Sequence, residues 1–119
     1  MIYTLPMFSE LPQITFSGAN ICINLKGYDY DDIYSEVELI FQEVHYFSKA
    51  NALFSVDTIE AYDKVLEIFN SSIILQLMEA NRHLFEEINK LQELKHYSLY
   101  LDGYDGYNIV CKSIEIKEL

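Results

Sequence analysis

Hydrophobic and polar positions alternate with two different periods along this chain. Ile21, Ile23 and Leu25 alternate with Asn20, Cys22, Asn24 and Lys26, the two-residue period of a strand with one buried face. Gly27 ends that run, and YDYDD follows as a loop. In the next segment Val37, Leu39 and Phe41 share one parity, whereas Val44 and Tyr46 take the other. That switch predicts a bulge near Gln42 and Glu43 that resets the register; a strand buried on both faces is the alternative. The two segments are expected to pair antiparallel across the acidic loop. Ahead of them, residues 1–13 hold both prolines and read as a leading segment with one short edge strand.

A helical period follows. Asp57 is a suitable N-cap and Glu60 lies three residues on, as a capping box requires. Ile59, Tyr62, Leu66 and Phe69, with Val65 beside them, keep helical spacing up to Asn70, Ser71 and Ser72. Residues 73–93 divide into a strand and a helix. Ile73, Leu75 and Leu77 alternate, and β-branched Ile73 and Ile74 favour a strand through Met78. Leu84, Phe85, Ile88 and Leu91 then give a helical stripe from about Asn81; one long helix is the alternative.

The C-terminal stretch is again strand-like. Tyr97, Leu99 and Leu101 alternate with His96, Ser98, Tyr100 and Asp102. After a turn around Gly103 and Gly106, Val110, Ile114 and Ile116 alternate with Ile109, Cys111 and Ser113. Apolar groups on both faces predict a strand near the middle of a sheet. The whole predicts one α+β domain over residues 1–119, a mainly antiparallel β-sheet with two helices packed on it.

Charge narrows the function classes. Eight Lys and Arg against nineteen Asp and Glu leave a net −11. Such a field repels phosphate backbones and anionic membrane surfaces, so neither nucleic acid nor membrane is expected as a partner. A basic protein would be attracted and its encounter accelerated; solubility alone is an equal account of the same charge. The first residues lack a basic leader and Pro6 cuts their apolar run, and no stretch is long enough to span a bilayer, which predicts a cytoplasmic protein. Cys22 and Cys111 each lie in an apolar run and read as reduced core thiols.

Catalytic signatures are missing from the sequence. His45, His83 and His96 stand in no metal-binding spacing, and there is no G-x-S-x-G and no glycine-rich phosphate loop. Asp29, Asp31 and Asp32 begin like a calcium loop, but Tyr34 stands where glycine is needed and Ile40 where glutamate is needed; the loop from Asp102 fails at Ser113. No catalytic residue, cofactor or metal is therefore assigned. What remains is tyrosine, ten of them with no tryptophan. Tyr28, Tyr30 and Tyr34 surround Asp29, Asp31 and Asp32, and Tyr104 and Tyr107 flank Asp105. Tyrosine gives large contact area at small entropy cost, which suits an interface with exposed Lys or Arg; it is also simply a good sheet former.

The run KHYSLYLDGYDGYNIVCKSIEI resembles the closing hairpin of small immunity proteins of bacterial polymorphic toxin systems. FSGANICINLKGYDYDDIYSEVELIFQEVHYFS resembles the paired strands with which such proteins begin. The resemblance implies a non-enzymatic cytosolic protein that binds and neutralises a cognate toxin, often a basic nuclease, and it carries over no particular binding residue. The rival expectations are a structural protein forming a homo-oligomer through a sheet edge or helix face, and a small enzyme using His45 or His96 with nearby acids.

Overall fold

The computed structural model describes residues 3–5, 11–28, 31–51, 64–80, 82, 93–101 and 105–119. Within them lie β1 (Tyr3–Thr4), β2 (Gln13–Ser17), β3 (Asn20–Tyr28), β4 (Tyr34–Gln42), β5 (Tyr46–Asn51) and β6 (Lys64–Ile68). Helix α1 (Ser72–Ala80) follows, then β7 (Lys95–Tyr100), β8 (Asp105–Cys111) and β9 (Ser113–Glu118). The strands form two sheets, one ordered β1-β6-β7-β8-β5 and the other β2-β3-β4-β9, with every pairing antiparallel. The described architecture is thus mostly antiparallel sheet with one helix, where the sequence predicts two.

The alternating pattern decides which face of each sheet turns inward. Ile21, Ile23 and Leu25 of β3 stand opposite Phe41, Leu39 and Val37 of β4, and all six are buried. They meet Val65, Tyr97, Leu99, Tyr107, Ile109 and Cys111 of the five-stranded sheet in a single core. The Phe41 and Tyr97 rings, 6.1 Å apart, make that contact directly. Both open sides of the sandwich are bridged. Tyr3 of β1 donates its hydroxyl proton to Glu118 of β9, and Phe16 of β2 sets its ring against Phe47 of β5 at 5.8 Å.

The parity switch after Phe41 has a different cause from the expected bulge. β4 ends at Gln42, Glu43 takes a left-handed backbone (φ 52°), and the chain crosses into the other sheet before β5 begins. The crossing is held by Val44 N–H donating to the Ala19 carbonyl, His45 N–H to Val110 and Glu43 N–H to the Asn20 side chain. A second crossing at Lys112 joins β8 to β9, and its N–H donates to the Gln42 carbonyl. Val44 therefore still reaches the core while Tyr46 faces the outer layer.

Two further expectations are corrected. Lys64–Ile68, expected at the end of a helix, is a strand between β1 and β7. Its Val65 sits fully in the core, and a five-residue window fits either period. The start of that expected helix, including Asp57 and Glu60, lies outside the described residues. Ser72–Ala80, expected as a strand through Met78, is helix α1. Ser71 does not end a helix but begins this one: its hydroxyl accepts the Ile74 N–H at 3.2 Å. Ile73, Ile74, Leu77 and Met78 then cover Leu94 and Val110 on the outer face of the five-stranded sheet. Leu75, which alternation would bury, is 59% exposed. The helix expected over Leu84–Leu91 lies outside the described residues.

The single strand expected over Ile109–Ile116 is two strands in different sheets, because the chain changes sheet at Lys112: Val110 turns to the outer cluster while Ile114 and Ile116 pack against the inner core. β8 lies between β7 and β5, with Ile109 in the inner core and Val110 under the helix. Gly106 is not a turn residue, however; it lies within β8 opposite Ala50 and Tyr100. The core makes a graded demand on its residues. Phe41→Ala should destabilise by about 3–5 kcal/mol, whereas Leu75→Ala should change stability by about 0.5 kcal/mol or less, as read from urea denaturation midpoints.

Candidate partner-binding surface

The β3–β4 hairpin ends in an aromatic pair. Tyr28 and Tyr34 are the last partners of the ladder, and their rings meet edge to face with centroids 5.3 Å apart. Both remain open to solvent, at 54% and 49%. Such a pair holds each ring in place, so less side-chain entropy remains to be lost on binding. Asp31, Asp32 and Ile33 follow, all exposed. Asp32 takes a left-handed backbone (φ 56°), a conformation that Asp tolerates better than most residues.

Beside this pair the second crossing brings in a second source of acid. β9 runs antiparallel to β4, with Glu118 opposite Val37 and Leu119 N–H donating to the Glu36 carbonyl at 2.9 Å. Tyr3, Tyr34, Glu36, Glu118 and Leu119 thereby line a cleft of about 270 Å³. The Tyr3 hydroxyl is pushed up to about 12, first by its hydrogen bond to the Glu118 carboxylate and then by burial. It therefore stays a proton donor at any physiological pH. Lys26 stands opposite Glu36 in the ladder and offsets part of the charge. Tyr34 thus shares a cleft with the carboxylates of Glu36 and Glu118, while Asp31 and Asp32 are exposed in the loop between the two tyrosines.

The structure joins some of the sequence candidates and separates others. Tyr28, Asp31, Asp32 and Tyr34 share one hairpin end. Tyr107 does not belong with them: it is 2% exposed and lies against Phe47 in the core, at 6.0 Å. Its parity with Ile109 and Cys111 is the signal that places it there. Asp29, Tyr30 and Tyr104 lie outside the described residues, as does the side chain of Asp105. Tyr3, Glu36 and Glu118 are additions. Glu36 shares the parity of Tyr34 and was open to sequence reasoning. Glu118 meets Tyr3 across 115 residues, which no local pattern signals.

The histidines play other parts. His45 is exposed, and its Nδ1 lies 3.0 Å from the Glu43 carbonyl at the crossing. His83 lies outside the described residues. His96 is buried in a polar line that sequence spacing did not reveal. Its Nδ1 lies 2.7 Å from Ser71 Oγ, and its Nε2 lies 2.8 Å from Asn108 Oδ1. Because Ser71 Oγ already accepts the Ile74 N–H, the consistent arrangement has Ser71 donating to Nδ1 and Nε2–H donating to Asn108. The line binds the start of α1 to β7 and β8, and it contains no acid. Burial lowers the His96 pKa, with Asn108 opposing the shift. Both thiols are free: Cys111 is buried and pushed up to about 12 by desolvation, and Cys22 to about 11, chiefly by burial and then by its hydrogen bond to Glu38. Among the described residues no helix is long and apolar enough to cross a membrane, and no three His, Cys, Asp or Glu side chains group as metal ligands would.

Comparison with protein-family models, with curated proteins and with solved structures gives no match to this chain.

The buried imidazole carries a pH dependence of known sign. Its pKa is lower folded than unfolded, so its contribution is fully present above the unfolded value of 6.5 and is lost as pH falls below it. Urea midpoints should therefore fall with acidification through that range. In His96→Gln, less stable throughout, this part of the acid dependence should vanish. A variant curve parallel to the wild type would assign the effect to other groups.

Proposed function

We propose that this chain is a non-enzymatic, immunity-type protein that binds and neutralises a cognate basic protein toxin. The observation that carries the reading is the hairpin end, where Tyr28 and Tyr34 form an exposed pair, Asp31 and Asp32 are exposed in the loop between them, and Glu36 and Glu118 line a cleft with Tyr34. A nuclease toxin presents Lys and Arg in the cleft that receives phosphates. Carboxylates at and beside the hairpin end answer those cations, and the tyrosines supply contact area that excludes water. Inhibition follows from occlusion of the cleft, with no chemistry on the part of the inhibitor. The net charge of −11 speeds the encounter from a distance.

The division of labour can be measured. Capture from the native lysate at low and high salt, followed by mass spectrometry, identifies the partner; a single basic protein that is toxic alone is the expected result. With that partner, Asp31→Lys combined with Asp32→Lys should slow association by about tenfold or more and flatten its salt dependence. Tyr34→Ala should act on dissociation, costing about 2 kcal/mol. Rates indifferent to all three substitutions would remove this hairpin from the interface.

A further inference from the structure

The outer edge of β2 differs from the other sheet edges. Glu10 is the only charged side chain among the first 25 residues, and residues 11–25 form the longest run of the chain without one. β2, Gln-Ile-Thr-Phe-Ser, lies inside that uncharged run and forms one edge of the four-stranded sheet. The opposite edge, β9, carries Glu115, Lys117 and Glu118; β5 carries Lys49; β1 is only two residues long. Edge strands are ordinarily protected from pairing by charge, proline or shortness. Among the described residues, β2 has none of these within its five positions, and Phe16 on it remains 65% exposed.

The hairpin geometry says which groups the edge offers. β2 and β3 are joined by Gly18 and Ala19, with Ser17 opposite Asn20. Gly18 has φ 59° and Ala19 is not among the positive-φ residues, the pattern of a two-residue type II′ turn. In such a hairpin the closing pair exchanges both hydrogen bonds, and so does every second pair beyond it. Ser17, Thr15 and Gln13 therefore bond to β3. Ile14 and Phe16 direct their N–H and C=O groups at the edge that no other described strand occupies.

We infer that β2 pairs with β2 of a second copy of this chain, antiparallel about a twofold axis at Thr15. Ile14 of each copy then stands opposite Phe16 of the other in a hydrogen-bonded pair, and the two sheets join into one of eight strands. A second copy fits for two reasons. The strand is self-complementary about its centre, since an apolar residue flanks Thr15 on either side and β-branched and aromatic residues pair well across strands. A molecule of charge −11 can approach its own copy closely only where the surface is uncharged, and β2 is such a surface. This pairing leaves the acidic end of the β3–β4 hairpin outside the interface, so it does not depend on the proposed toxin.

Sedimentation velocity of the purified chain over a concentration series tests the pairing. The wild type should show a reversible monomer–dimer equilibrium. Phe16→Pro removes an outward N–H while sparing the bonds to β3, and should weaken the dimer by about tenfold or more. Thr15→Glu and Thr15→Lys, each alone, place like charges face to face and should be monomeric; mixed, they should form a heterodimer. That recovery would show that both variants are folded and that the twofold lies at Thr15. A wild type monomeric at every concentration overturns the inference, and so does a dimer indifferent to both positions.

Discussion

A strand with one alternating pattern can bury only one of its faces, and this fold depends on how the chain escapes that limit. At Glu43 and at Lys112 the backbone leaves one sheet and enters the other. The same two-stranded ribbon, β4–β5 beside β9–β8, thus contributes a wall to each side of the core. Everything else is arranged around the two crossings. β2 and β3 extend one wall, and β7, β6 and β1 extend the other. The left-handed Glu43 and the amide of Lys112 are therefore more than loop details. They let Val37, Leu39 and Phe41 face Ile109 and Cys111 instead of running on past them.

How far the fold could be read from the sequence follows from what decides each segment. In β3 and β4 a long unbroken alternation decides, so pairing and buried parity were both legible. At Gln42 the pattern showed that something changes but not what; a bulge and a change of sheet give the same shift of parity. Ser72–Ala80 was illegible for another reason. Its β-branched residues favour a strand, yet the outer face of the five-stranded sheet needs a cover, and a helix capped by Ser71 supplies one. Tertiary demand outweighed local preference.

The same contrast runs through the candidate surface. Tyr28, Asp31, Asp32 and Tyr34 are near in sequence and remain together at one hairpin end. Tyr107 looked equivalent by composition, but its neighbours in parity draw it into the core. Glu118 looked unrelated, and strand pairing carries it to Tyr3 and Tyr34. Local chemistry was visible in the sequence; its assembly into one surface came from contacts that span nearly the whole chain.

The late arrival of β9 has a consequence for biosynthesis. Gln42 and Ser113, hydrogen-bonded across the β4–β9 ladder, are 71 residues apart. At roughly 5–20 residues per second, β4 leaves the ribosome about 4–14 seconds before its neighbour exists. Throughout that interval the β2–β3–β4 meander has a naked flank with no covering sheet. Glu36 and Glu38 lie along this strand, and like charges on an unpaired flank discourage contact between nascent chains on neighbouring ribosomes. Once β9 pairs with β4, the same two carboxylates lie on an interior strand of the finished sheet.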